Sequence, residues 1–451
     1  MSFFLFLMEF KTNAKTIKHF MMKNIVFAFL LLQISVFGQT LSSHTSFPLS
    51  EDSPENVGMS SLRLKRLDTY LQKSVDMKEI PGAVAIICRN GKIIYHKAFG
   101  SSDNVAGRAA KTDDIFRIAS MSKAITSTAV MMLWEEGLFQ LDDPISKYIP
   151  EFKNPVLLDS LTMSDTTYTT KPAGKEITIR NLITHTSGIG YGVIDGDPRF
   201  KAIYKKAGII DLFTTESVKI GDNIRKLAKL PLHHVPGEKF TYSEGLDVLG
   251  YFIEIMSGMP FDEYLKKHIF EPLGMNDTYF YLPNEKAARL VKVQTKTADN
   301  WVPFTDNFYD TQYPAIGAKT FFSGGAGLSS TARDYATFLQ MYLNNGELNG
   351  KRLLSRKTVE MMMMNQVGDL LGGAKATQSY GLAFGLITEK GQAEGDMGDV
   401  GTFTWGGYFN TNYFADPKER IIGVIMKQTQ KTDDNNNSNR FRALIMNAVD
   451  N

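Results

Sequence analysis

The 451-residue sequence predicts an α/β (α+β) fold: an antiparallel sheet with flanking helices, joined to a mainly helical lobe. Three observations predict it. Apolar runs of strand length lie near both ends of the chain, in residues 83–95 and 380–427, so the first and last strands share one sheet. Between them, residues 140–330 alternate short helical patterns with Gly- and Pro-bearing loops. About twenty residues from Ser120 are rich in Ala, Thr, Met and Leu on nearly all sides, as suits a helix buried at the centre. Apolar residues make up 43% and charged residues 22%, which excludes a disordered chain, a collagen and a many-span membrane protein. The length allows two folded units or one large interleaved one.

The elements follow in order. Met22-Lys23-Asn24 precede thirteen mostly apolar residues, Ile25 to Phe37, and then Gly38, with Val36 two positions before it. This reads as a signal peptide, residues 1–38, cleaved after Gly38; the apolar run is shorter than the ~20 residues of a membrane span. An uncleaved anchor is the alternative, and Met21 and Met22 are alternative starts. Residues 39–56, rich in Ser, Thr, Pro and Asp, read as a flexible lead-in. Leu62 to Val75 has helical spacing. Ala83–Cys88, Asn90-Gly91 and Ile93–Tyr95 form the strongest short hairpin signal, with Cys88 expected as a buried, inert thiol. The central helix runs from Ser120 to Gly137. Tyr251–Met256, Phe261–Phe270 and Ala332–Leu343 read as helices, and Met361–Met364 as the packing side of a helix end. Tyr380–Ile387, Thr402–Trp405, Thr411–Ala415 and Ile421–Lys427 read as strands, followed by a last helix. The sheet domain is therefore expected from residues 57–115 and 332–451, and the helical domain from 116–331.

Charge limits the partners. The four lysines and one glutamate of residues 1–38 leave 46 basic and 47 acidic side chains in the remainder, a balance that supplies no field for nucleic acid or anionic lipid. The expected partner is a small-molecule ester or amide substrate, with no stable membrane insertion after cleavage; oligomeric state is not readable. Cys88 is the one cysteine, so no intrachain disulfide and no cysteine-based metal cluster forms.

Three motifs carry possible chemistry. Ser120-Met121-Ser122-Lys123 puts a hydroxyl and an ammonium three residues apart on one helix face, at a helix start whose N–H groups suit a developing oxyanion. Ser120 is the only serine with Lys at the third following position. Tyr242-Ser243, reached through Pro236-Gly237 and followed by a helix, can point a phenol into a cleft, where a nearby lysine would exchange a proton with it. Thr404-Trp405-Gly406-Gly407-Tyr408 places adjacent glycines in a strand, which implies close approach to its backbone, a substrate carbonyl being the obvious visitor. Singly, each also fits a structural role: a surface helix start, a packed tyrosine, a bulge.

In this order, the motifs resemble those of the serine β-lactamase and penicillin-binding-protein superfamily, and more closely the class C β-lactamase branch and the family VIII carboxylesterases. Supporting blocks are Ile118-Ala119-Ser120, Leu141-Asp142-Asp143-Pro144, Ile177–Leu182 with His185-Thr186-Ser187-Gly188, Pro272-Leu273-Gly274-Met275 and Gly324–Leu328. The resemblance spans Val57 to Val449. It implies a β-lactamase/transpeptidase-like fold, Ser120 as nucleophile, and Lys123 and Tyr242 as the groups that take and return its proton. It implies an oxyanion hole from the backbone N–H groups of Ser120 and Tyr408, each donor worth about 3 kcal/mol.

Two departures bear on the substrate. Trp405 stands where β-lactamases have the lysine that holds a carboxylate, and with Gly406 and Gly407 it resembles the carboxylesterases; ester hydrolysis is the favoured reading. Glu244 stands where class C enzymes have asparagine, either beside Lys123 or turned to solvent, and Asp247 could substitute as polar partner. Tyr191 resembles a cleft-edge aromatic in the esterases, a substrate contact or a loop anchor. His185 is expected to fix a loop, and His233-His234 to face solvent. No cofactor or metal is implied. The rivals are a β-lactamase or D-amino-acid peptidase of the same mechanism, and a penicillin-binding or scaffold protein with little turnover.

Overall fold

The computed structural model describes residues 46–298, 300–305, 308–432 and 437–450; the predicted signal peptide lies outside them. Its framework is a nine-stranded sheet. In chain order the strands are β1 (Ser50–Glu51), β2 (Gly82–Arg89), β3 (Lys92–Asp103), β4 (Arg108–Ala109), β5 (Gln378–Tyr380), β6 (Gly385–Ile387), β7 (Phe403–Gly406), β8 (Asn412–Asp416) and β9 (Ile421–Met426). Their spatial order is β1-β3-β2-β9-β8-β7-β6-β5, with β4 on β3. The terminal strands do share one sheet: β9 pairs antiparallel with β2, Val424 opposite Ile86. The sheet is antiparallel except at its edge, where β1 runs parallel to β3.

That edge corrects the lead-in. Ser50 and Glu51 pair with Lys92 and Ile93, and Pro54–Val57 forms a 3₁₀ turn, so the chain is ordered from the strand onward. The hairpin from β2 to β3 turns at Asn90-Gly91, both at positive φ (52° and 77°), as a type I′ turn demands.

Every residue of β2 is buried, because both sheet faces are covered. Val84, Ile86 and Cys88 face one core, while Ala83, Ala85 and Ile87 face the other, the two-residue period of a strand. The second core is closed by the helices α1 (Ser61–Asp76) and α5 (Asn437–Met446), through Leu64, Leu67, Leu71, Phe441 and Ile445. The first contains α2 (Ser122–Glu135), α3 (Gly245–Ser257) and α4 (Ala332–Leu343). All residues of α2 from Ser122 to Leu133 are buried. Of its buried hydroxyls, Thr126 donates to Gly324 O at 2.7 Å and Thr128 to Ala124 O at 2.7 Å, while Ser127 Oγ has no hydrogen-bond partner among the described residues.

Residues between β4 and α4 supply most of the remaining helices, together with two ribbons that helical patterning did not predict: Val156–Thr162 with Thr167–Pro172, and Gln294–Thr297 with Asn300–Pro303. The span Tyr380–Ile387, read as one strand, holds the last residue of β5, a reversal in which Gly381 N–H donates to Phe384 O, and β6. Of the four consecutive methionines, Met362 is buried and Met364 is exposed. Among the described residues no helix is long and apolar enough to cross a membrane.

Candidate active site

Ser120 sits in a 3₁₀ turn, Ala119–Met121, one residue ahead of α2. Ile118 N–H donates to Leu328 O at 3.0 Å, and Ala119 takes the left-handed region at φ 42° although fully buried. A non-glycine residue held there costs of order 1 kcal/mol; the turn that results lifts Ser120 out of the buried helix into a cavity of about 440 Å³.

One turn on, Lys123 is buried. Its Nζ donates to Gly325 O at 2.7 Å and lies 3.2 Å from Ser120 Oγ. The same Nζ stands 4.6 Å from the centre of the Tyr242 ring. The three residues that the sequence singled out therefore converge, with Ser120 and Tyr242 lining one cavity.

The loop bearing Tyr242 is fixed by His185. Ser243 N–H donates to His185 Nδ1 at 3.2 Å, and Thr241 N–H to His185 O at 2.8 Å. Burial, and then the charge of Lys123, hold the imidazole well below its ordinary range. With Nδ1 accepting, the ring proton is on Nε2, which has no hydrogen-bond partner among the described residues and is surrounded by the rings of Phe240, Tyr242 and Tyr380. The loop-fixing hydrogen bond that the sequence predicts for His185 is present.

The opposite wall is β7 and the residues beyond it. Trp405, Gly406 and Gly407 line the cavity. The close approach inferred at the glycines is real, but its cause is the protein itself: a Cβ on Gly407 would lie 2.5 Å from Ile118 O and would meet Thr411 Oγ1. The strand end and the turn that carries Ser120 are thus in backbone contact. The indole of Trp405 does more than form an apolar wall, for its Nε1 lies 3.4 Å from Tyr242 Oη.

The remaining predicted contacts lie behind the cavity. Tyr191 is no cleft-edge residue: it is 1% exposed, packed between Tyr242 (centroids 5.6 Å) and Lys123 (5.6 Å). A loop that turns inward at Gly190 and Gly192 carries it there. Glu244, also 1% exposed, does not reach solvent; burial, then the charge of Asp211, pushes its carboxyl well above the usual carboxylate range. Asp247 is buried and accepts Gly325 N–H at 3.3 Å, its carboxyl raised by burial against the pull of Ser323 and Lys123. The histidine pair is not solvent-facing. His233 stacks on Phe200 and pairs with Asp195 at 3.1 Å, while buried His234 bonds Val235 O and Thr241 Oγ1.

Sequence reasoning missed Arg442 of α5 on the far side of the cavity, with Asn439. Its Nη2 pairs with Asp396 at 3.0 Å, and Nη1 is buried with no hydrogen-bond partner among the described residues. The one trace in the sequence is the three-residue spacing, which puts both side chains on one helix face without revealing which face looks inward. Among the described residues, no cluster of three or more His, Cys, Asp or Glu could hold a metal ion.

The sequence profile of the Beta-lactamase family matches residues 67–447. Protein Rv1367c of Mycobacterium tuberculosis is 30% identical over 373 residues, 79% of this chain and 88% of that protein. Esterase EstB of Burkholderia gladioli is 30% identical over 374 residues, 80% of this chain and 88% of its own length. Among solved structures, EstCE1, described as a hydrolase with promiscuous acyltransferase activity, superimposes with a TM-score of 0.72 at 27% identity, covering 86% of this chain and 98% of that one. The profile spans the chain from within α1 to the end of α5, so the chain belongs to the Beta-lactamase family and is one of its serine hydrolases.

Proposed function

We propose that the protein hydrolyses carboxylic esters through an acyl-Ser120 intermediate. The observation that carries this reading is the wall opposite Ser120, where the strand that could offer a substrate a cation offers the indole of Trp405, set against the Tyr242 phenol. An uncharged acyl or alkyl group fits such a wall better than a carboxylate does. The relatives add support, since EstB is named an esterase.

In the acylation step, Ser120 Oγ attacks the ester carbonyl carbon while its proton passes to the Lys123–Tyr242 pair. The N–H groups of Ser120 and Tyr408 receive the developing oxyanion. Collapse breaks the bond to the alkoxy oxygen, which takes the proton back and leaves as the alcohol. Water then attacks the acyl carbon, losing a proton to the same pair, and Ser120 recovers its hydrogen as the acid departs.

A second reading is hydrolysis of carboxylate-bearing amides, either β-lactams or D-amino-acid peptides. Arg442, which lines the same cavity while its Nη2 pairs with Asp396, favours it by returning a cation at a different place. The purified protein is tested side by side on p-nitrophenyl butyrate and a chromogenic cephalosporin, with S120A as control. Ester turnover that S120A abolishes, with little cephalosporin cleavage, is expected. Fast cephalosporin turnover with little ester cleavage overturns the ester reading, and a lasting fluorescent-penicillin adduct with negligible turnover favours a binding protein. Export to a periplasm or beyond the cell is also proposed, from the Ile25–Phe37 segment; the N-terminal residue of the purified protein, expected at Gln39, tests it.

A further inference from the structure

Behind Lys123 lie two buried carboxyl groups that act on one another, Glu244 and Asp211, and Glu244 Oε1 has no hydrogen-bond partner among the described residues, which disfavours its ionised form. Asp211 already accepts two backbone donors, Gly192 N–H on Oδ1 at 3.1 Å and Val193 N–H on Oδ2. Of such a pair, the carboxyl that two backbone N–H groups already orient is the better placed to accept. Two carboxylates in contact cannot both be ionised away from water, so one proton must lie between them, and it belongs to Glu244. The Glu244 backbone makes a second tie, its N–H donating to Gly190 O at 3.1 Å. The loop that carries Tyr242 and the Gly190–Val193 loop are thereby clamped together, with the Tyr191 ring held between the clamp and the Lys123–Tyr242 contact.

We propose that Glu244 is a positioning residue for the proton-handling pair, acting as a neutral carboxylic acid that donates to Asp211 and holds the Tyr242 loop in register with Lys123. The groups that face Glu244 are Asp211, Asp247, Lys123, Tyr191 and Tyr204. Were Glu244 ionised, Lys123 would answer to three buried carboxylates; as an acid, Glu244 ties the loops together without adding a charge. The inference rests on the assignment of Lys123 and Tyr242 above.

Two measurements test it. The wild-type minus E244Q infrared difference spectrum at neutral pH is expected to contain the C=O stretch of a protonated carboxylic acid. A difference holding only carboxylate bands overturns the proposal, whatever the protein hydrolyses. In kinetics on p-nitrophenyl butyrate, E244Q keeps a neutral donor and is expected to retain at least about a third of kcat/KM, with the acidic limb of its pH profile in place. E244L breaks the clamp and is expected to lose at least about tenfold, chiefly in kcat. An acidic limb that moves to lower pH in E244Q would mean that a negative charge had been removed, and an E244L variant within about twofold of wild type would mean that the clamp positions nothing; either overturns the proposal. A wild-type protein inactive on every ester sinks the ester reading alone, because the infrared result stands independently.

Discussion

Trp405 Nε1 points at Tyr242 Oη across 3.4 Å, the long end of the range for an N–H···O contact. On the proposed mechanism the phenol oxygen gains negative charge while accepting the proton of Ser120, which would shorten this contact and strengthen it in the transition state more than in the resting enzyme.

Replacing the indole with phenyl keeps the apolar wall and removes the donor. W405F is expected to lower kcat/KM for p-nitrophenyl butyrate about fivefold, the equivalent of about 1 kcal/mol, with no change in melting temperature. W405K should weaken ester hydrolysis more than it harms folding. Unchanged ester kinetics in both folded variants would remove Trp405 from the reaction.

Gly407 tolerates no side chain, since a Cβ there would stand 2.5 Å from Ile118 O. G407A must push the strand end away from the Ser120 turn, at an overpacking cost of about 1–3 kcal/mol. Both a lower melting temperature and a fall in kcat/KM of about a hundredfold are expected, because displacement of about 1 Å in a reacting group is enough for such a loss. An active, equally stable alanine variant would contradict the backbone contact.

His185 gives a pH test with a definite sign. Its folded-state value is pushed down by burial and then by Lys123, so the unfolded chain takes up a proton near pH 6.5 that the native state refuses. Stability from this source is intact above that pH and is lost as pH falls below it, by about 1.4 kcal/mol per unit. Chemical denaturation of wild type and H185Q at pH 7.5 and 5.5 checks this: wild type is expected to lose stability relative to the variant, which has no proton to gain. A constant difference would show that His185 is not held neutral.

Cys88 lies fully buried in β2, its thiol pushed up to about 12 by burial. Iodoacetamide at pH 8 should leave it unmodified in the native protein and label it once denaturant is added, as intact-mass spectrometry would show. Labelling of the native protein would mean that β2 opens locally.

Legibility in the sequence followed from how each residue meets water. Ala332–Leu343 was readable to the residue because one of its faces is apolar and the other is not. Thr167–Pro172 is exposed along its whole length, so alternation left no hydrophobic contrast to read. Ser120, Lys123 and Tyr242 were legible as spacing and motif order, and their convergence is now visible. The placement of Tyr191 and Glu244 was not, because an inward turn at Gly190 and Gly192 is set by contacts with Asp195 and Asp211 that come from later in the chain. His233 was misread for a related reason, since it pairs with Asp195 nearly forty residues earlier, and His234 because its neighbours Val235 and Thr241 turn it inward.

The seating of Gly407 against Ile118 has a consequence for biogenesis. A nascent chain emerges with its serine and lysine early, but the surface on which that serine is presented is furnished by strands made nearly three hundred residues later. Until β7, β8 and β9 leave the ribosome, β2 has no neighbour on its inner edge, and the turn at residues 118–121 lacks its contact with Gly407. Hydrolytic competence should therefore appear late and all at once, when the polypeptide from Phe403 onward docks.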